Sequence, residues 1–356
     1  MHPRVEKGRG AVSNRTGRFE SLSVEAVDDG WGIADEPLPP LETTVQPEPP
    51  HSVITRNNSP DIPFDLSINP YRGCEHGCVY CYARPSHQYM NLSAGLDFET
   101  RLFFKKDAAA HLREELNRRS YKPSPINLGA NTDPYQPLER KLGITRSILE
   151  VLAESHHPVT VVTKGALVVR DIDLLSRLAA ERLVKVFVSV TTLDDELKRR
   201  MEPRAASPRA RLAAIGKLAA AGIPTGVMFA PVVPAINDHE LEAVVDASAA
   251  AGAKTAGYVL LRLPGEVKDL FFDWLELHFP DRAQRVRNRI RELRGGRDND
   301  SRFGQRMRGQ GPWAELLRRR FDASCRRNGL VSGRESPLSV ELFRPPNRSP
   351  DQMELW

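Results

Sequence analysis

The chain has 356 residues, of which 40% are hydrophobic and 27% are charged, and its net charge at pH 7 is +5. This composition is typical of globular proteins, and the length allows one large catalytic domain with tails or two smaller domains. No apolar run reaches the length of a membrane span, and residues 1–20 lack the apolar stretch of a secretory signal. We therefore expect a cytoplasmic protein without a membrane partner.

The predicted elements divide the chain into four parts. Residues 1–55 are rich in proline, glycine and charge, which predicts a disordered arm. Residues 60–280 alternate six apolar strand segments with segments of helical spacing, and the strands begin near residues 64, 124, 159, 184, 224 and 255. Continuous apolar strands indicate a parallel sheet covered by helices, either open and doubly wound or curved into a barrel. Residues 281–332 predict an Arg-rich helical extension, and residues 333–356 a flexible tail.

Three of the four cysteines lie in the segment GCEHGCVYCYA, residues 73–83, where Cys74, Cys78 and Cys81 have the spacing C-x3-C-x2-C. In a reducing compartment such a group more often binds a metal than forms disulfides. A structural zinc needs a fourth ligand, for which His76 and His87 are near, but no second C-x2-C pair is present. Three thiolates fit a 4Fe-4S cluster better, with one iron left open.

This spacing, with Tyr80 directly before the third cysteine, resembles the signature of the radical S-adenosylmethionine (SAM) superfamily. The resemblance implies that the open iron binds SAM. An external electron donor then drives its cleavage to methionine and a 5′-deoxyadenosyl radical, which abstracts a hydrogen atom. It also implies an α/β fold, a partial (β/α)6 TIM-like barrel of parallel strands with the 4Fe-4S loop after the first strand. The six predicted strands, counted without reference to the cysteines, agree with this fold.

Further segments resemble one branch of that superfamily, which contains spore photoproduct lyase and bacterial proteins described as DNA repair photolyase-like. They include INPYRGCEHGCVYCYAR, ANTDPYQPLE and EPRAASPRARLAAI, and the resemblance covers about residues 60–265. It implies a nucleic-acid substrate, in DNA repair or base modification, and leaves lyase and transferase chemistry both open. Spore photoproduct lyase uses a barrel cysteine as hydrogen donor. Because residues 60–280 contain no cysteine outside the motif, we do not predict thymine-dimer reversal.

Candidate SAM contacts follow the predicted strands, because active sites of parallel barrels lie at the carboxyl ends of the strands. The resemblance assigns Thr132 and Asp133 to the SAM amino group, and Ser189 and Thr191 to its carboxylate or ribose. Arg204 suits the SAM carboxylate, since a guanidinium binds a carboxylate through two hydrogen bonds. Alternatively, Asp133 opens a turn before a proline, and the two strand residues only pack.

Charge suggests a macromolecular partner. Arg282–Arg327 contains fifteen arginines against five acidic residues, and Arg302 and Arg306 flank Phe303. This pattern predicts contact with nucleic acid through phosphates and base stacking, although a solvated helix would have a similar composition.

The final residues, Gln352–Trp356, read QMELW and resemble the short peptide that binds the bacterial sliding clamp. The alternative is that this tail folds back on the barrel. Two other functions also stay open: a radical SAM enzyme acting on a protein or small molecule, and a zinc-stabilised nucleic-acid-binding module without catalysis. Metal content separates the last from the others.

Overall fold

The structure, a computed structural model, describes residues 6–14, 19, 41–332 and 338–346. Eleven strands lie within these residues: β1 (Thr44–Glu48), β2 (Ile54–Arg56), β3 (Leu66–Ile68), β4 (Tyr71–Arg72), β5 (Arg101–Lys105), β6 (Ile126–Leu128), β7 (Val159–Thr163), β8 (Val184–Ser189), β9 (Thr225–Val232), β10 (Thr255–Leu260) and β11 (Val331–Ser332). No helix among them combines the length and the apolar composition that a bilayer crossing requires.

The larger sheet contains the six predicted strands as neighbours in chain order. Its full order is β11-β10-β9-β8-β7-β6-β3-β2, and every pairing from β3 to β11 is parallel. Only β2, at the edge, pairs antiparallel, with β3. The six parallel strands from β3 to β10 confirm the predicted partial (β/α)6 barrel, with the cysteine motif after its first strand.

In the described part of the chain, eleven α-helices accompany the strands: α1 (Asp97–Thr100), α2 (Ala108–Leu116), α3 (Glu139–Leu142), α4 (Ile144–Glu154), α5 (Ile172–Ala180), α6 (Asp195–Met201), α7 (Pro208–Ala220), α8 (Leu241–Ala250), α9 (Val267–His278), α10 (Pro280–Leu293) and α11 (Pro312–Arg327). Local signals explain several boundaries. The Ser207 hydroxyl accepts from the amide of Ala210 at the start of α7, where Pro208 has no amide to satisfy, and Gly222 follows the helix with φ +74°.

The core lies between the outer face of the large sheet and the helices. Alternate strand residues such as Val161, Val186 and Val227 are fully buried there against helix residues such as Leu149 and Ile215. Because side chains alternate across a strand, the intervening residues face the concave interior of the barrel.

A second, three-stranded sheet stands beside the barrel in the order β1-β5-β4. The strand β1 pairs parallel with β5 from Thr44 opposite Arg101 to Glu48 opposite Lys105, and β4 pairs antiparallel with β5. Because β1 lies inside residues 1–55, the prediction of a disordered arm is wrong for this strand. Residues 10–13 of the same arm are also buried.

Two further segments differ from the expected boundaries. The extension over residues 281–332 is helical as predicted, but α11 buries Leu317, Phe321 and Cys325 in the barrel core, and β11 joins the large sheet. The prediction of a flexible tail is wrong for residues 338–346, where Phe343 contacts Tyr121 and His157. The clamp-like peptide Gln352–Trp356 lies outside the described residues.

Candidate active site at the cysteine loop

The cysteine loop, residues 73–83, begins directly after β4, at the carboxyl end of β3. The pairing of β4 with β5 fixes the position of its first residues, and the Cys74 amide donates to the Phe98 carbonyl at 2.9 Å. Gly73 and Gly77 have φ values of +76° and +67°, a conformation that side chains disfavour. The two glycines of GCEHGC therefore allow the loop to fold back on itself.

All three loop cysteines are free thiols. Cys74 and Cys78 are buried and Cys81 is partly exposed. Burial raises the pKa of each thiol: that of Cys78 to about 12, because Glu202 is also near, and that of Cys74 well above its ordinary value. Without a metal these side chains are neutral, and the binding of a metal or cluster would release their protons.

The donor set fits an iron–sulfur cluster better than one ion. Among the described residues no group of three or more His, Cys, Asp or Glu side chains converges as the ligands of a single metal ion must. In a 4Fe-4S cluster each cysteine binds a separate iron, so the thiolates need not converge. The two histidines weighed as zinc ligands bond elsewhere: His76 Nδ1 lies 3.4 Å from Asp133, and His87 Nε2 lies 2.8 Å from the Arg101 carbonyl.

Neighbouring elements hold the loop backbone at several points. The Gln136 side chain accepts from the Glu75 amide at 2.9 Å and donates to the Gly73 carbonyl at 3.2 Å. At the other end of the loop, Arg84 is fully buried, donates to the Cys78 carbonyl at 2.9 Å and forms an ion pair with the buried Glu99. The loop is thus fixed by Gln136 from the segment between β6 and α3, by Glu99 of α1, and by Arg84 from the following short helix, Arg84–Met90.

A buried ionic network lies beneath the loop. Glu202 forms an ion pair with Arg211, accepts a short hydrogen bond from Tyr80, and accepts another from Thr191 at 2.6 Å. Although burial raises the pKa of Glu202, Arg211 and Lys164 lower it to about 2 overall. Lys164 also lies 5.8 Å from the centroid of the Tyr80 ring. Sequence reasoning missed Glu202 and Arg211, and the only local signal for them was their place in EPRAASPRAR.

The predicted contacts for the SAM amino group lie beside the loop, bonded to protein. The Thr132 hydroxyl donates to the Tyr71 carbonyl at 2.7 Å. Asp133 accepts from Thr163 at 2.6 Å and from the amide of Lys164 at 2.7 Å. Burial raises the pKa of Asp133, but these bonds and the neighbouring His76 lower it to about 2 overall. Asp133 also accepts from the amide of Tyr135 at 2.8 Å, two residues on, as the turn-forming alternative predicts.

The remaining predicted SAM contacts lie at the same end of the barrel. The hydroxyl of Thr191 donates to Glu202, while the backbone carbonyl of Ser189 accepts from Arg211 at 3.0 Å. Arg204 forms an ion pair with Glu75 at 2.7 Å, and its amide donates to the His76 carbonyl. All five predicted residues therefore border the cysteine loop or the network below it, and their contact with SAM stays a prediction.

One further group of side chains lines the open end of the barrel. The mouth loop, residues 294–311, is fixed beside the end of β10: the Leu260 amide donates to the Met307 carbonyl at 2.9 Å, and Arg294 donates to the Leu261 carbonyl at 2.6 Å. Arg306 of this loop forms an ion pair with Asp61 and lowers the pKa of that carboxyl to about 2.

The mouth loop completes what we call the aromatic–arginine row: Tyr82, Arg262, Arg306 and Phe303. The Arg262 guanidinium lies 5.2 Å from the Tyr82 ring centroid, and that of Arg306 lies 4.8 Å from the Phe303 centroid. Tyr82 and Phe303 are 45% and 58% exposed. Tyr82 directly follows Cys81, so the row begins within the cysteine loop itself, where an exposed aromatic ring contacts a cation.

Acidic neighbours neutralise much of the basic segment, including Arg302 and Arg306 of the mouth loop. Nine of the fifteen arginines in Arg282–Arg327 form ion pairs with acidic side chains. On α11, for example, Arg318 and Arg319 share Glu315, and Arg327 binds Asp246. The segment's formal charge therefore overstates the cationic surface that it presents.

Comparison with known proteins places this site in a family. The sequence model of the radical SAM superfamily matches residues 68–247. An uncharacterised protein of Mycobacterium tuberculosis is 39% identical over 236 residues, which are 66% of this chain and 69% of the relative. An uncharacterised protein of Methanocaldococcus jannaschii is 27% identical over 173 residues, 49% of this chain and 62% of the relative.

Solved structures agree on the fold. Spore photoproduct lyase complexed with dinucleoside spore photoproduct has a TM-score of 0.57 and 15% sequence identity, covering 81% of both chains. A mutant of that lyase with bound AdoMet and the same dinucleoside has a TM-score of 0.56 and 16% identity, covering 81% of this chain and 80% of the mutant. At this level of identity the likeness establishes a shared architecture.

Proposed function

Because this chain belongs to the radical SAM superfamily, we propose that it is an enzyme that cleaves SAM reductively and uses the resulting radical on a nucleic acid. Members of the family use a 4Fe-4S cluster and SAM, and in this chain Cys74, Cys78 and Cys81 would hold the cluster. When bound, the cluster supplies the electron, delivered by an external donor, that divides SAM into methionine and the 5′-deoxyadenosyl radical.

The chain's own residues would orient SAM and keep water out. Ser189 and Arg204 would offer hydrogen-bond donors to the SAM ribose and carboxylate. The Thr191 hydroxyl, which donates to Glu202, would accept a hydrogen bond from the ribose. Thr132 and Asp133 would fix the end of β6 beside the loop and present the SAM amino group with a carboxylate. The buried Tyr80 and Glu202 exclude water from the inner side of the loop.

The observation that supports a nucleic-acid substrate is the aromatic–arginine row. A base can stack on an exposed aromatic ring, and a guanidinium can bind the neighbouring phosphate. The fold shared with spore photoproduct lyase, solved with a dinucleoside photoproduct, is consistent with that substrate class. Base modification and DNA repair are both compatible with it.

Binding measurements on short single-stranded DNA and RNA test this proposal. We expect Phe303→Ala to weaken binding by about 1–3 kcal/mol, the typical value of one base stacked on an aromatic side chain. Arg308 is an exposed arginine of the same mouth loop. Arg308→Ala should reduce the salt dependence of binding, because each lost phosphate contact lowers the slope by about 0.7 for single strands.

Matched controls lie on α11. Leu316 is 54% exposed, and Arg319 is exposed but paired with Glu315. Leu316→Ala therefore removes an exposed apolar side chain, and Arg319→Ala an exposed arginine, on a helix outside the mouth loop. Equal losses in the mouth and control variants, or no binding at low salt, would refute a nucleic-acid substrate at this mouth. A radical SAM enzyme acting on a protein or small molecule would then be the better account.

Two partner predictions belong to the same proposal. An external reductant must supply one electron for each SAM cleaved. Binding of Gln352–Trp356 to a sliding clamp would bring the enzyme to replicating or repaired DNA, in the cytoplasm.

A further inference from the structure

A short segment near the N-terminus crosses the outside of the cysteine loop. We call residues 9–14, RGAVSN, the strap. Ala11 and Val12 are buried, and Val12 belongs to the same apolar cluster as Cys78, Val79 and Tyr80. Part of a segment with the composition of a disordered arm is thus packed directly against the proposed cluster-binding loop.

The strap fits only because glycines stand where two backbones meet. A Cβ atom on Gly10 would overlap the carbonyl oxygen of Gly77, between the first two cysteines of the loop. A Cβ atom on Gly95 would overlap the carbonyl oxygen of Ser13. Gly10 of the strap and Gly95 below it must therefore both be glycine, because at each contact the two backbones are too close for a side chain.

One buried carboxylate holds both the strap and the loop. Glu99 accepts from the Gly10 amide at 2.9 Å and from the Ala11 amide at 2.8 Å, while Arg9 donates to the Glu99 carbonyl at 3.0 Å. The same carboxylate pairs with Arg84, which donates to the Cys78 carbonyl. Strap and cysteine loop are thus joined through two charged groups that are fully buried.

The far end of the strap is fixed as well. The Ser13 hydroxyl donates to Asp273 of α9 at 3.3 Å. The Asn14 side chain donates to Asp97 at 3.2 Å and accepts from the Asp97 amide at 3.3 Å. Both ends of the strap are thus bonded to α1, through Glu99 and Asp97, and Ser13 also bonds to α9.

We propose that the strap keeps the cysteine loop in its cluster-binding conformation and closes the loop's outer side to solvent and oxygen, with Glu99 and Arg84 as positioning residues. This inference depends on the proposed function only in that the loop must hold the cluster. The physical basis is local opening: a loop that detaches more often exposes a buried group more often, without unfolding the whole protein.

The test compares full-length variants after anaerobic reconstitution and exposure to air. Gly10→Val forces the strap away from Gly77, and Glu99→Gln removes the charge that binds the strap amides and Arg84. In both variants we expect the visible absorption of the cluster to decay about tenfold faster than in wild type. A tenfold change corresponds to about 1.4 kcal/mol less free energy needed to detach the strap from the loop.

A second readout needs no cluster. In the metal-free protein the amides of Gly10 and Ala11 should exchange slowly with deuterium, and Glu99→Gln should abolish that protection. The control is Phe321→Ala, which destabilises α11 far along the chain and should leave both readouts unchanged. It separates a local role of the strap from a general loss of stability.

The outcomes distinguish this inference from the proposed function. Wild-type protein that binds no iron refutes the cluster assignment, and the exchange experiment still tests the strap. Cluster lifetimes in Gly10→Val and Glu99→Gln equal to that of wild type, or unprotected amides at Gly10 and Ala11 in wild type, would overturn the strap proposal.

Discussion

At the residue scale, the buried pair Glu202–Arg211 shows what the sequence conveys and what it does not. The cysteines could be identified from the sequence because the three ligands lie within eight residues, in a spacing typical of cluster binding. Glu202 was missed because its partners Tyr80, Thr191 and Arg211 are joined by the fold, with Tyr80 separated from Glu202 by 122 positions. Arg211 is only nine positions from Glu202, but this spacing matches no helix or strand period, so no local pattern predicts that the two side chains meet.

The first prediction concerns this pair. Glu202→Gln leaves the guanidinium of Arg211 buried without a countercharge, and losing one partner of a buried pair costs about 3–5 kcal/mol. We expect a loss of that size in the free energy of unfolding, measured with denaturant on the metal-free protein. The double variant Glu202→Gln, Arg211→Met should recover part of it. A single variant as stable as wild type would contradict the described network.

The second prediction concerns pH. His157 is buried; its Nδ1 donates to the Pro158 carbonyl at 3.0 Å, and its Nε2 accepts from Tyr121 at 2.6 Å. Burial lowers its pKa to about 4. Because the unfolded chain binds this proton more readily, the contribution of His157 to stability is complete above pH 6.5 and is lost as pH falls towards 4.

Between pH 7 and pH 5 this loss amounts to about 2 kcal/mol of unfolding free energy. His157→Gln should remove that part of the pH dependence, as measured by denaturant titrations at the two pH values. An equal pH dependence in wild type and variant would show that His157 does not stay neutral in the folded protein.

At the element scale, the barrel was predictable and the small sheet was not. Barrel strands such as β7, VTVVT, and β8, VKVFVS, are apolar and β-branched, and helices such as α5 are amphipathic, so local pattern and final structure agree. The strand β1 reads TVQPE and lies among prolines. It forms a strand because its partner β5 lies more than fifty residues later, and no period within the sequence reports that pairing.

The third prediction concerns the boundary after residue 280. Phe321 of α11 is buried in the barrel core and contacts the Tyr258 ring at a centroid distance of 4.8 Å. Phe321→Ala should therefore cost about 3–5 kcal/mol of stability, as in an ordinary core. Leu316→Ala, at an exposed position of the same helix, should change stability by less than about 0.5 kcal/mol. If both variants changed the free energy of unfolding by less than about 0.5 kcal/mol, α11 would not be packed into the barrel core as described.

At the scale of the whole molecule, the function was inferred from eleven residues of the cysteine loop and supported by the order of six parallel strands. Charge was the less reliable guide. The sequence predicts a broadly basic segment over Arg282–Arg327, whereas ion pairs use nine of its fifteen arginines, including Arg302 and Arg306 of the mouth loop. The mouth loop is the better candidate surface because of its exposed Phe303 ring and exposed Arg308. Formal charge does not predict which arginines face an acidic neighbour, because that depends on tertiary packing.

The central claim is that the cysteine loop holds a cluster whose open iron binds SAM. The most direct measurement is the iron and sulfide content of anaerobically reconstituted protein, with the electron paramagnetic resonance spectrum of its reduced form before and after SAM is added. We predict about four irons per chain and a spectrum that changes when SAM binds. Zinc in place of iron, or a cluster spectrum that SAM leaves unchanged, would contradict the account.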